Sequence, residues 1–230
     1  MADEIIIRYA LSDAYTHCSL CDAIENAALR ERALRYRNEE ARLESLLGAY
    51  CVEECARTLG VMPGKTEYNF SGKPQASDFE FNVSHSHGLA LCAASKKYGV
   101  GIDVEPVLLE TEKTLFRDGV ARRRFSQRES NGLFQIDDPL LRSVEFIRLW
   151  TAHEALGKYL GVGVFRGDVL EYTRSNKLCI QHFVLRRTDG HVSVVSDGVL
   201  LNDTDSIYYI ICICSPDAAS SVILDKVHTV

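Results

Sequence analysis

Residues 100–106, Val-Gly-Ile-Asp-Val-Glu-Pro, place two carboxylates inside a run that otherwise reads as a buried strand. Successive side chains of a strand point to opposite faces, so Asp103 and Glu105 share one face while Ile102 and Val104 share the other. Burying a carboxylate without a partner is costly, so this segment requires positive charge nearby. Downstream, Leu149 to Lys158 reads as helix, with Glu154 and Lys158 one turn apart on the same face. Three carboxylates with a lysine make a donor set suited to a hard divalent ion and a phosphate.

The chain has 230 residues, enough for one large domain or two small ones. With 46% apolar and 25% charged residues it has the composition of an ordinary soluble globule. No stretch approaches the roughly 18 consecutive apolar residues of a membrane span, so no membrane partner is expected. The start, Met1-Ala2-Asp3-Glu4, lacks the basic opening of a signal peptide, and a cytoplasmic location is expected. A net charge of −6 argues against a nucleic-acid partner, which needs a basic face. The one dense basic run, Arg122-Arg123-Arg124, reads either as a solvated helix face or as a docking patch for an acidic helix. Of eight cysteines, Cys18, Cys21, Cys51 and Cys55 leave a zinc site open as an alternative. Cys92, Cys212 and Cys214 lie in apolar runs and read as small core residues.

Ile5 to Tyr9 opens as a strand, followed by a helical region over Ser19–Arg35. A helix over Asn38–Leu59 has Asn38 as its cap, Glu39 and Glu40 in its first turn and Gly60 as its stop. Its Leu43, Leu46, Leu47 and Tyr50 form a buried stripe. Strands are expected over 79–83 and 89–94, flanking Ser84-His85-Ser86-His87-Gly88. Ser126-Gln127-Arg128-Glu129 fits a capping box, and a long helix spans Pro139 to Leu160. Strands follow over 178–187, 192–195 and 207–214, the last nearly all apolar and therefore central. The expected class is α+β, with each half reading as helices against a small, mostly antiparallel sheet. The division is placed at residues 1–99 and 100–230.

Gly101-Ile102-Asp103-Val104-Glu105 and Trp150-Thr151-Ala152-His153-Glu154-Ala155-Leu156-Gly157-Lys158 together resemble the two-part signature of the 4′-phosphopantetheinyl transferases. The resemblance implies two similar α+β halves in one chain (a pseudo-dimer of the long, monomeric type), with coenzyme A bound between them. It implies transfer of the phosphopantetheine arm of coenzyme A to a serine of an apo acyl or peptidyl carrier protein, with adenosine 3′,5′-bisphosphate leaving. The implied ion is Mg²⁺, with Mn²⁺ as the alternative, on Asp103, Glu105 and Glu154. Glu154 is implied as the base, directly or through water, and Lys158 as the phosphate contact; Asp103, Glu154 and Lys158 are the implied catalytic set. Phe81-Asn82-Val83-Ser84-His85-Ser86 resembles another family element, which implies that Ser84 and His85 meet the 3′-phosphate. Gly72-Lys73-Pro74 and Ser45-Leu46-Leu47-Gly48 resemble two more, implying Lys73 along the nucleotide and Ser45 near the 3′-phosphate. Arg32 falls where the family carries a basic phosphate contact, with Arg30, Arg35 and Arg37 as alternative registers. His153 stands where the family has lysine. If that position meets phosphate, coenzyme A binds more weakly at high pH, with the imidazole compensating in part; if it faces solvent, nothing changes. Trp150 reads as a packing residue that seats the helix.

Three rival functions remain on sequence alone. The chain could bind coenzyme A with weak or no turnover, hydrolyse a phosphoester with the same acids, or act only as an interaction protein.

Overall fold

The computed structural model describes residues 4–62, 67–68, 74–107, 111–188, 191–195, 206–217, 219 and 221–227. In chain order the elements are β1 (Glu4–Leu11), a short 3₁₀ turn (Ser12–Ala14), α1 (His17–Ala23), α2 (Ala27–Leu34), α3 (Glu39–Thr58), β2 (Glu67–Tyr68), β3 (Pro74–Gln75), β4 (Glu80–Ser86), β5 (Leu89–Ser95), β6 (Gly101–Pro106), α4 (Thr111–Arg124), α5 (Gln127–Phe134), α6 (Pro139–Leu160), α7 (Val169–Ser175), β7 (Leu178–Thr188), β8 (His191–Val195), β9 (Ile207–Pro216) and β10 (Ser221–Lys226). The chain divides into two compact units, residues 1–102 with 215–230, and residues 103–214. Each is α+β, with one four-stranded sheet packed by helices.

The first sheet runs β10-β1-β5-β4. All seven residues of β5, Leu-Ala-Leu-Cys-Ala-Ala-Ser, are buried, as expected of a strand flanked on both edges and covered on both faces. β4 and β5 form a hairpin in which Ser86 pairs with Leu89, leaving His87 and Gly88 as a two-residue loop. Both loop residues have positive φ, 48° and 76°, the conformation that a twist-matched hairpin loop requires. The strand thus runs on through Ser84, His85 and Ser86, beyond the boundary at Val83 read from the sequence. β10 pairs with β1 in parallel, Glu4 opposite Ser221 through Tyr9 opposite Lys226. The C-terminal strand therefore belongs with the first unit.

α3 starts where expected. The Asn38 side chain accepts the Ala41 amide at 2.9 Å, and Glu39 and Glu40 favour the helix N-terminus electrostatically. Its Leu46, Leu47, Tyr50, Cys51 and Cys55 pack into a core with Ile6, Phe81, Ala90 and Cys92. Burial of each large apolar side chain in such a core is worth about 1.5–3 kcal/mol. The helical region expected over Ser19–Arg35 is two short helices, because the Asn26 side chain accepts the Leu29 amide and restarts the chain as α2. The fully buried Glu53 of α3 accepts the Asn26 amide at 2.6 Å and pairs with Arg57 at 3.1 Å, which ties α2 to α3.

The second sheet runs β6-β9-β7-β8, with β9 internal and buried from Tyr208 to Ser215. α6 begins at Asp138, whose side chain accepts the Leu141 amide, has Pro139 in its first turn, and ends at Gly161 with φ 72°. Trp150 stacks on Phe146 and packs against the cluster of Phe125, Leu133 and Ile147. The expected capping box forms: Ser126 Oγ accepts the Glu129 amide, and Glu129 accepts the Ser126 amide. α7 has no counterpart in the sequence reading. No helix among the described residues is long and apolar enough to cross a membrane.

Candidate active site

In the second unit, β6 and α6 bring Asp103 and Lys158 together. The Lys158 ammonium donates to Asp103 Oδ1 at 2.7 Å. Asp103 is buried while Lys158 remains partly exposed, so the lysine joins the buried acid to solvent. Glu154, one turn before Lys158, feels the same acid. Burial first, and the Asp103 charge second, raise its carboxyl above the ordinary glutamate value, while Lys158 and Arg124 pull it the other way. Glu105 sits two residues along β6 and is half-buried.

The donors are hard oxygens, and the mutual repulsion of Asp103 and Glu154 is what a divalent cation would relieve. Chemically they fit Mg²⁺. Substrate phosphate and water would have to complete the shell of such an ion, because among the described residues no three His, Cys, Asp or Glu side chains form a ready-made metal cage. The same holds for the zinc alternative: all eight cysteines are free, and Cys51, Cys55, Cys92, Cys212 and Cys214 are buried.

His153 meets neither phosphate nor solvent. Its side chain is fully buried and stacks on Phe125 with ring centroids 4.8 Å apart. Nδ1 lies 2.9 Å from the Phe165 carbonyl and Nε2 lies 3.2 Å from Glu129 Oε2, so both ring nitrogens face acceptors and the doubly protonated ring satisfies both. The Phe165 amide in turn donates to the His153 carbonyl. Glu129 also accepts the Val169 amide at the start of α7. Burial alone would raise its carboxyl, but hydrogen bonds from His153, Val169 and Ser126 lower it to about 2. One carboxylate therefore joins α5, α6 and α7. A helix turns about 100° per residue, which sends position 153 inward while 154 and 158 share another face. The expectation of a phosphate-facing or solvent-facing histidine is corrected on this ground.

In the first unit, α2, α3 and β4 line a cavity of about 180 Å³ with Arg32, Tyr36, Ser45, Asn82 and His85. Arg32 and Tyr36 also border a larger recess of about 620 Å³, together with Arg35. Arg30 instead donates to the Ile24 carbonyl at 2.7 Å, outside both linings. Gly48 lets α3 approach β4 closely, since a Cβ there would lie 2.8 Å from Val83 Cγ1. Ser84 is buried in β4 and lies outside this lining. Lys73 lies outside the described residues.

Glu44 was missed by the sequence reading. Its Oε2 accepts from His85 Nδ1 at 3.0 Å, and its Oε1 accepts the Gly88 amide at 2.7 Å. An acid flanking Ser45 on a half-buried helix face carries no local signal that it will meet a strand 41 residues away.

Residues 99–193 match the family model described as the 4′-phosphopantetheinyl transferase superfamily. The chain is 34% identical over 137 residues to the 4′-phosphopantetheinyl transferase HetI of Nostoc sp., a match covering 56% of this chain and 52% of that protein. It thus spans about half the length of that relative. It is 28% identical over 214 residues to a 4′-phosphopantetheinyl transferase of Bacillus subtilis, 87% of each chain. A shorter match, 32% over 89 residues, is to the L-aminoadipate-semialdehyde dehydrogenase-phosphopantetheinyl transferase of Xenopus laevis, covering 37% of this chain and 29% of that protein. The matched segment contains Asp103, Glu105, Glu154 and Lys158, so all four lie in the part of the chain that is similar to the 4′-phosphopantetheinyl transferase superfamily.

Proposed function

We propose that the protein is a Mg²⁺-dependent transferase that moves 4′-phosphopantetheine from coenzyme A to a serine of an apo acyl or peptidyl carrier protein. The observation that carries this reading is the pairing of Lys158 with buried Asp103 beside a Glu154 of raised proton affinity. Asp103, Glu105 and Glu154 are the residues that would hold the ion. When bound, Mg²⁺ supplies charge neutralisation and orientation of the coenzyme A pyrophosphate.

Glu154 takes the proton from the carrier serine. It does so directly or through a water, and Asp103 and burial set the polarity around it. The serine oxygen bonds to the β-phosphorus as the bond from that phosphorus to the bridging oxygen breaks. The electron pair leaves with adenosine 3′,5′-bisphosphate. Lys158, already held at this face of α6, offsets the charge that builds on the departing phosphate. Such transfers depend mostly on positioning and charge stabilisation. Arg32, Ser45 and His85 converge on one small cavity, which supports the 3′-phosphate subsite. Lys73 would lie along the nucleotide, and Ser84 would serve as a strand residue behind His85.

Intact mass spectrometry of an apo carrier protein incubated with the protein, coenzyme A and Mg²⁺ tests the reading. A mass gain of one phosphopantetheine group, absent with Glu154→Ala or chelator, is the expected result. No gain on several carriers, with coenzyme A still bound, would make the protein a binding module. Release of free pantetheine phosphate would make it a hydrolase.

A further inference from the structure

His85, which lines the cavity of the first unit, is half of an acid–base pair that a simple cationic phosphate site does not require. Glu44 is fixed at both oxygens: Oε1 accepts the Gly88 amide of the hairpin loop, and Oε2 accepts from His85 Nδ1. A carboxylate can only accept, so Nδ1 carries a proton. In a neutral ring Nε2 would then be an acceptor, facing a phosphate that also only accepts. A phosphate at His85 therefore requires the doubly protonated ring. The nearby anion that stabilises that form is Glu44.

We infer that Glu44 is a positioning residue for a phosphate-monoester subsite. It fixes the His85 ring and holds its Nδ1 proton, so that Nε2 donates to the 3′-phosphate of coenzyme A. Preference for coenzyme A over its 3′-dephospho analogue then runs through the Glu44–His85 pair. This rests on the proposed coenzyme A reading and deepens it. Burial would raise the Glu44 carboxyl, but hydrogen bonds from His85 and Gly88, with the nearby charges of His85 and His87, lower it, so the anion persists. The other charged or titratable groups facing the site are Arg32 and Tyr36, on or beside α2. A guanidinium keeps its charge at any physiological pH, so a pH response in a subsite of this composition comes from imidazole.

Binding of coenzyme A and of 3′-dephospho-coenzyme A is measured by calorimetry from about pH 6 to about pH 9, bracketing histidine titration. The wild-type protein should prefer coenzyme A, with the preference shrinking as pH rises. Glu44→Gln should weaken coenzyme A binding roughly ten-fold, leave the dephospho analogue unchanged and flatten the pH response. In a His85→Ala background, Glu44→Gln should have no further effect. A merely structural role would weaken both ligands alike and would overturn the inference. So would tighter binding of coenzyme A by Glu44→Gln, which would mark the acid as a repeller. Equal wild-type binding of both ligands would overturn the subsite itself, a distinct failure. Should Glu44→Gln not fold, ¹⁵N shifts of the His85 ring in wild-type protein decide. A doubly protonated ring in the coenzyme A complex supports the inference, and a neutral one refutes it.

Discussion

Lys158 Nζ and Asp103 Oδ1 lie 2.7 Å apart, joining the C-terminal end of α6 to the acidic strand β6 across 55 residues of sequence. Breaking that pair should affect chemistry and also cost some stability, because Asp103 is buried while Lys158 is partly exposed. Asp103→Asn and Lys158→Ala are each expected to lower kcat about 100-fold or more, the scale of losing one charge-stabilising group. Circular dichroism should show both folded, and a variant that keeps wild-type turnover would remove its residue from the mechanism.

Metal dependence should follow the same acids. Chelator should arrest carrier modification, and Mg²⁺ should restore it. Glu105→Gln and Glu154→Gln should each raise the Mg²⁺ concentration needed for half-maximal rate, since each removes one anionic oxygen donor. The check is a Mg²⁺ titration of initial rates, with an unchanged midpoint counting against the residue concerned.

His153 and Glu129 form a buried pair, and truncating one partner leaves the other charge uncompensated. His153→Ala should destabilise the protein by about 3–5 kcal/mol in urea unfolding. Placing at position 153 the lysine of the signature that this segment resembles, with His153→Lys, should not improve coenzyme A affinity. A lysine there loses the stack on Phe125 and the contact with the Phe165 carbonyl, so its effect should appear as lost stability.

The same pair sets an acid limit. Glu129 has its carboxyl lowered from 4.5 to about 2, so its contribution is present above the unfolded value and is lost as pH falls through the folded one. Stability should therefore decline between about pH 4.5 and about pH 2. Glu129→Gln should be less stable at neutral pH and show a shallower decline over that window, measured by thermal unfolding as a function of pH.

Gly157 is needed for space. A Cβ at this position would lie 1.6 Å from the Gly163 carbonyl oxygen. Alanine within a helix usually stabilises by up to about 1 kcal/mol relative to glycine. Here Gly157→Ala should destabilise by about 1–3 kcal/mol or more, because backbone must move. A raised melting temperature would contradict this.

Local periodicity and end chemistry were enough to read much of the molecule. Alternation along 101–106 put Asp103 and Glu105 on one side, four-residue spacing aligned Glu154 with Lys158, and Asn38 and Ser126 marked helix starts through bonds to amides three residues on. These signals lie within one element, where geometry depends only on neighbours in sequence. Tertiary structure alone decided the rest. The return of β10 to β1 and the Glu44–His85 contact join distant segments and leave no periodic trace in either. The burial of His153 depends on Phe125, Glu129 and Phe165 arriving from three other segments. A residue's identity states what it can bond, but the path of the chain determines which partner it meets, and so a lysine-like position became an interior strut.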